Sequence, residues 1–147
     1  MQTFLCSDSF KETAQILDSR RLNKQRVEVL QIYNSLTGKS NGWTHHPAVR
    51  MWRGAEQLLL IYGIKMCDEC DVRGFADNTR MKDRFYEYLH KHVFHIPSWW
   101  ADKQTKDAII RTHQCNLLRK DYEYYKQHFP HIPTSDIFVT DYHWPVK

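Results

Sequence analysis

A chain of 147 residues, 41% hydrophobic and 14% aromatic, is long enough to bury a core of its own and fits one domain. Its formal charge of +4 is small, but the segment from Lys11 to Arg50 carries seven lysines and arginines against three acids, which allows a basic face there. No apolar run reaches the ~18 residues of a bilayer span, and the N-terminus lacks the basic-then-apolar form of a secretion signal, so no membrane association is expected and the chain reads as intracellular and cytoplasmic.

Met1-Gln2-Thr3-Phe4-Leu5 leads directly into a first helix predicted over Phe10 to Leu36, with Ser7-Asp8-Ser9 supplying cap oxygens. At about 100° per residue, Arg20, Gln31, Lys24, Glu28 and Arg21 fall in one narrow sector. They make a basic stripe holding a single carboxylate. Ile16, Val27 and Leu30 flank it on one side, and Leu22, Val29, Ile32, Tyr33 and Leu36 cover most of the opposite arc, so burial on both flanks is expected. Asp18 and Gln25 fall inside the apolar arc, where polar groups persist only with partners or a task. Thr37-Gly38 ends the helix, and a loop runs on through Trp43.

Pro47 suits the first position of a second helix, which the spacing of Val49, Trp52, Ala55, Leu58, Leu59 and Tyr62 carries to about Arg73, before Gly74. A third is expected over Thr79 to His92. After an Ile96-Pro97-Ser98-Trp99-Trp100 corner, a fourth is expected over Lys103 to His128. Pro130, Pro133 and Pro145 break the tail into extended pieces. Nothing alternates at period two. The expected class is all-α: a single compact globular domain over residues 1–147, of about four helices with an extended Pro-containing C-terminal tail.

Several residue groups carry chemistry. The four cysteines read as reduced thiols; Cys67 and Cys70 have CxxC spacing, but helical surroundings without a Gly-bounded knuckle make a zinc site with His113 and Cys115 a weak reading, and no metal is expected. The α-amine of Met1, retained because Gln2 is bulky, is a possible nucleophile, since α-amines have a reference pKa of about 8. Such an amine can attack a sugar C1′, expel a base and form an imine. The partner carboxylate is Glu28 or, on a more apolar bearing, Asp18; an i, i+4 ion pair with Lys24 would also explain Glu28. Arg20, Arg21, Lys24, Arg26 and Arg50 are candidate phosphate contacts. His45 and His46, in the loop before Pro47, are candidate phosphate donors or acid-base groups at a helix N-terminus. Gln25, His113, Gln114 and Asn116 are candidates to support the site or read base edges.

The order of a short N-terminal segment, the basic stretch Leu17-Asp18-Ser19-Arg20-Arg21-Leu22-Asn23-Lys24-Gln25-Arg26-Val27-Glu28 and a helix ending in Arg73-Gly74-Phe75 resembles the pyrimidine-dimer DNA glycosylases of the phage endonuclease V type. The Ile96-Pro97 corner, the run His113 to Lys120 and the aromatics of Tyr122 to Tyr125 continue the likeness to about Phe129. It is nearest to bacterial and phage relatives with the patterns DxxRLxKQRVE, here Asp18 to Glu28, and HPAxxMW, here His46 to Trp52. The resemblance implies an all-α glycosylase with abasic-site lyase activity, using its N-terminal α-amine as nucleophile and a first-helix glutamate as the essential carboxylate, with arginines holding a kinked duplex and no cofactor. The family glutamate falls on Asn23 in a gapless alignment and on Glu28 after a shift, while Arg26 matches a family arginine.

The leading expectation is therefore a DNA-repair enzyme, a glycosylase and lyase acting on damaged or modified pyrimidines in double-stranded DNA, monomeric and nucleoid-associated in a bacterial or phage-infected cell. The alternative is a non-catalytic nucleic-acid-binding module on the same scaffold. A metal-dependent hydrolase built on the histidines and Cys67-Cys70 is a third, weaker reading.

Overall fold

The computed structural model describes all residues, 1–147, as nine helices and no strands: α1 (Phe10–Ile16), α2 (Ser19–Leu36), α3 (Pro47–Arg50), α4 (Glu56–Val72), α5 (Asn78–Leu89), α6 (Ser98–Ala101), α7 (Lys103–Lys120), α8 (Tyr122–Tyr125) and α9 (Thr134–Ile137). The class is all-α, as the absence of period-two alternation predicted. α4 is apolar around most of its circumference, with Leu58, Leu59, Leu60, Tyr62, Ile64, Met66 and Cys67 all buried. A helix of that kind belongs at the centre. It packs against α1, α2 and α5, and the buried apolar residues other than Ala48 form one cluster. No helix is long and apolar enough to cross a membrane.

Three of the predicted helices are each divided. The Phe10–Leu36 helix breaks at Leu17 and Asp18, both with extended ψ, 136° and 154°. Asp18 then caps α2, accepting from Arg21 N–H. The Pro47–Arg73 helix is interrupted by a turn through Gly54, whose φ of +83° suits glycine. The Lys103–His128 helix stops at Asp121, whose side chain caps α8 by accepting from Tyr124 N–H. Val27, expected on a buried flank, is 43% exposed.

Residues 2–6 are buried and extended but have no neighbouring strand. Buried backbone groups need partners, and here side chains of three helices provide them. Gln25 of α2 accepts from Phe4 N–H at 2.9 Å and donates to the Gln2 carbonyl at 3.0 Å. The Tyr62 hydroxyl of α4 donates to the Phe4 carbonyl at 2.7 Å. On α7, His113 Nδ1 accepts from Leu5 N–H at 2.8 Å and Gln114 donates to the Cys6 carbonyl at 3.0 Å. Trp52 adds an indole N–H to Thr3 Oγ1 at 3.0 Å. The first residues of the chain are thereby held against α2.

Candidate active site

A cleft of about 360 Å³ opens where the chain start crosses α2. The N-terminal segment lines it with Met1, Gln2 and Phe4, α2 with Arg20, Arg21, Lys24, Gln25 and Glu28, the end of α7 with Lys120, and the tail with Tyr142. Four cationic side chains and the α-amine thus surround one carboxylate. Glu28 is only 6% exposed although it lies on the polar sector of its helix, because the N-terminal segment covers it. Its Oε2 accepts from Gln2 main-chain N–H at 3.3 Å and from Gln25 Nε2 at 3.0 Å, and its Oε1 stands 3.6 Å from Lys24 Nζ. The Met1 nitrogen is one residue further on, less than about 4 Å from the Gln2 nitrogen by covalent geometry.

Asp18 does not line this cleft. Burial alone would raise its pKa, but hydrogen bonds from the Tyr125 hydroxyl and Arg21, with the Arg21 charge, hold it below the usual carboxylate range. Its oxygens are taken up by Tyr125, Arg21 N–H and the Arg21 guanidinium at 3.2 Å. The residue works as a helix cap and a tie to α8.

The cationic residues divide between two hollows. Arg20, Arg21 and Lys24 face the first cleft. Arg26 faces a second, more open hollow of about 430 Å³ with Ser19, Asn23, Phe75 and Ala76, and Arg20 borders both. Arg26 donates to Asn78 Oδ1 at 2.7 Å and to Asn23 Oδ1 at 3.1 Å. Arg50 is exposed on α3.

Other sequence candidates turn inward. Gln25 is 1% and His113 0% exposed, and both bond to the N-terminal segment, so neither is free to read base edges. Gln114 donates its amide N–H to the Cys6 carbonyl, and its Oε1 accepts from His131 Nε2–H at 3.0 Å. Asn116 is buried and donates to the Thr112 and Thr140 carbonyls, fastening the tail to α7. His113 accepts at Nδ1, so its proton sits on Nε2, which has no partner; burial, with a smaller contribution from His143, pushes its pKa down to about 3.

His45 is exposed. His46 accepts from Ala48 N–H at 3.0 Å and caps α3, which has only four residues and so offers no further anion site. Burial lowers the His46 pKa, and the positive charge of the chain's α-amine lowers it further.

All four cysteines are buried and unbridged, and burial raises Cys6 and Cys67 to about 12. No three His, Cys, Asp or Glu side chains converge as a metal site would require.

Sequence reasoning missed Tyr62, Trp52 and Tyr142. The first two carry a signal, since a buried Tyr or Trp needs a partner for its polar atom. Tyr142 gave none, lying in the Pro-broken tail.

The fold and cleft define an all-helical protein whose chain start is packed into a cationic groove beside a single carboxylate. Residues 1–83 match the pyrimidine dimer DNA glycosylase family, and the chain belongs to that family of DNA-acting repair enzymes. No curated protein and no solved structure matches it.

Proposed function

We propose that the protein is a DNA glycosylase with abasic-site lyase activity on damaged or modified pyrimidines, pyrimidine dimers among them, in double-stranded DNA. The observation that carries this reading is the 3.3 Å hydrogen bond from Gln2 N–H to Glu28, which sets the Met1 amine beside a buried carboxylate in a cationic cleft.

In this mechanism the neutral Met1 amine attacks C1′ of the extruded nucleotide. The C1′–N bond to the base breaks, and the base leaves with that electron pair and takes up a proton. Glu28 stabilises the positive charge developing on the sugar and receives the proton lost by the amine. The C1′–O4′ bond of the resulting aminal then breaks, O4′ taking the electron pair and a proton as the sugar ring opens to the imine. The imine acidifies C2′; loss of a C2′ proton expels the 3′ phosphate, and water then releases the protein. Arg20, Arg21, Lys24 and Lys120 neutralise phosphates around the site. In this reading Arg26, Arg50 and His45 contact flanking backbone, while His46, whose Nδ1 accepts from Ala48 N–H, braces the loop before α3. Gln25, His113, Gln114 and Asn116 act indirectly, holding the N-terminal segment and the tail. Lys120 and Tyr142 lie beyond the family match yet line the cleft, which supports residues 1–147 acting as one unit.

The test is incubation with a duplex carrying one cyclobutane pyrimidine dimer. Strand cleavage at the lesion supports the reading; salt-sensitive binding without base release or cleavage leaves only the binding module.

A further inference from the structure

Trp43 stands in the loop between α2 and α3 with φ +64°. A bulky residue in the left-handed region is an outlier that its surroundings must enforce. Here Ser35 Oγ donates to the Gly42 carbonyl at 2.6 Å and His46 N–H donates to the Trp43 carbonyl at 2.9 Å, bracing the loop on both sides. The enforced conformation does not enclose the ring: Trp43 remains 57% exposed.

The indole is nevertheless continuous with the cleft. Its ring meets His46 edge to face at 5.7 Å, His46 meets Trp144 at 5.7 Å, and Trp144 meets Tyr142, a cleft residue, at 5.6 Å. A row of four rings therefore runs from the cleft to the surface. Arg50 and Arg53, further along the same chain segment, are exposed.

We propose that Trp43 is a stacking platform for an unpaired base of the bound DNA, one displaced from the helix next to the reacting nucleotide. This rests on the DNA-glycosylase reading and adds a binding site to it. Every base offers a flat π-face to an exposed indole, without need of hydrogen-bond readout. The reacting nucleotide itself is the wrong occupant, because Trp43 is three ring contacts away from Tyr142. The outlying backbone angle fits this use: it orients a ring for a ligand at the expense of local conformational ease.

The experiment uses a duplex with a tetrahydrofuran abasic-site analogue, on which no glycosylase or lyase chemistry is possible, and 2-aminopurine placed in turn at each position flanking it. The wild-type protein is expected to quench 2-aminopurine at one of these positions. Trp43→Phe should keep most of that quenching. Trp43→Gly should lose it and lower the preference for the abasic over the intact duplex on the order of tenfold. Because glycine tolerates φ +64°, Trp43→Gly should also melt no lower than wild type, which separates loss of the platform from misfolding. Equal quenching and preference in Trp43→Gly overturns the proposal. So does equal weakening on both duplexes, which would make Trp43 part of a general binding surface. If the wild-type protein binds and quenches but never cleaves a lesion duplex, the enzymatic reading fails and the platform stands.

Discussion

Gln2 and Glu28, 26 positions apart in the chain, are joined by a hydrogen bond from the Gln2 main-chain N–H to the Glu28 carboxylate. That contact buries a carboxylate that its helix alone would leave in solvent. It also ties the proposed nucleophile and the proposed acid-base group to one element.

Glu28→Gln retains the size of the side chain and an oxygen for Gln2 N–H but removes the charge. Strand cleavage should fall by about 10²-fold or more while duplex affinity changes only a few-fold. Asp18→Asn retains a capping oxygen and should cleave within a few-fold of wild type, with a stability loss of about 1 kcal/mol. Gel assays on a lesion duplex and urea melts read both. A silent Asp18→Asn beside a normal Glu28→Gln would reverse the assignment.

Gln25→Ala leaves Phe4 N–H, the Gln2 carbonyl and the Tyr62 hydroxyl each short of a buried partner. At about 1–3 kcal/mol for an unsatisfied buried group, a loss of several kcal/mol is the upper bound, because relaxation and water recover part of it. Amide hydrogen exchange should show the N-terminal segment opening before the helices, and cleavage should fall with it.

His113 makes stability depend on pH with a defined sign. Its folded pKa, about 3, lies below the ordinary 6.5, so below about pH 6.5 the unfolded chain binds a proton that the folded chain refuses. Stability is full above that pH and falls by up to about 1.4 kcal/mol per unit toward pH 3. His113→Asn keeps an acceptor for Leu5 N–H but does not titrate. Its urea melts between pH 6 and pH 4 should be flatter than those of wild type. The contribution of Asp18 is lost only lower, as pH falls below the ordinary carboxylate value of 3.8 and through its depressed folded pKa.

Gly63 lies where α4 meets α2 and α5. A methyl there would come within 2.8 Å of Val29 Cγ1 and 2.9 Å of Phe85 Cε2, both in the buried core. Gly63→Ala gains helix propensity but overpacks the crossing, for a net loss of about 1–3 kcal/mol in chemical denaturation.

Arg20→Ala and Lys24→Ala, at the mouth of the cleft, should weaken binding to all duplexes about equally and lower the slope of log affinity against log salt by about one each. Titrations at several salt concentrations check this.

Much of this arrangement is legible in the sequence. Gln25 stood out as polar on an apolar arc, and burial with four hydrogen-bond partners explains it. Glu28 was visible as the one acid in a basic stripe, but its burial was not, because the segment covering it is remote in sequence and has no periodicity. His113 and Gln114 read as candidates for DNA contact for a related reason: an extended segment without a strand partner must borrow side chains from helices more than a hundred residues away, and no local pattern marks that debt. The break at Leu17-Asp18 carries no glycine or proline that would mark it in the sequence.

The most direct measurement is borohydride trapping on an abasic duplex, followed by mass spectrometry of the adducted peptide. The cleft holds three competing amines, those of Met1, Lys24 and Lys120. A reduced sugar adduct on the Met1 α-nitrogen, lost when that amine is blocked, is the predicted result. An adduct on Lys24 or Lys120, or no adduct at all, would contradict it.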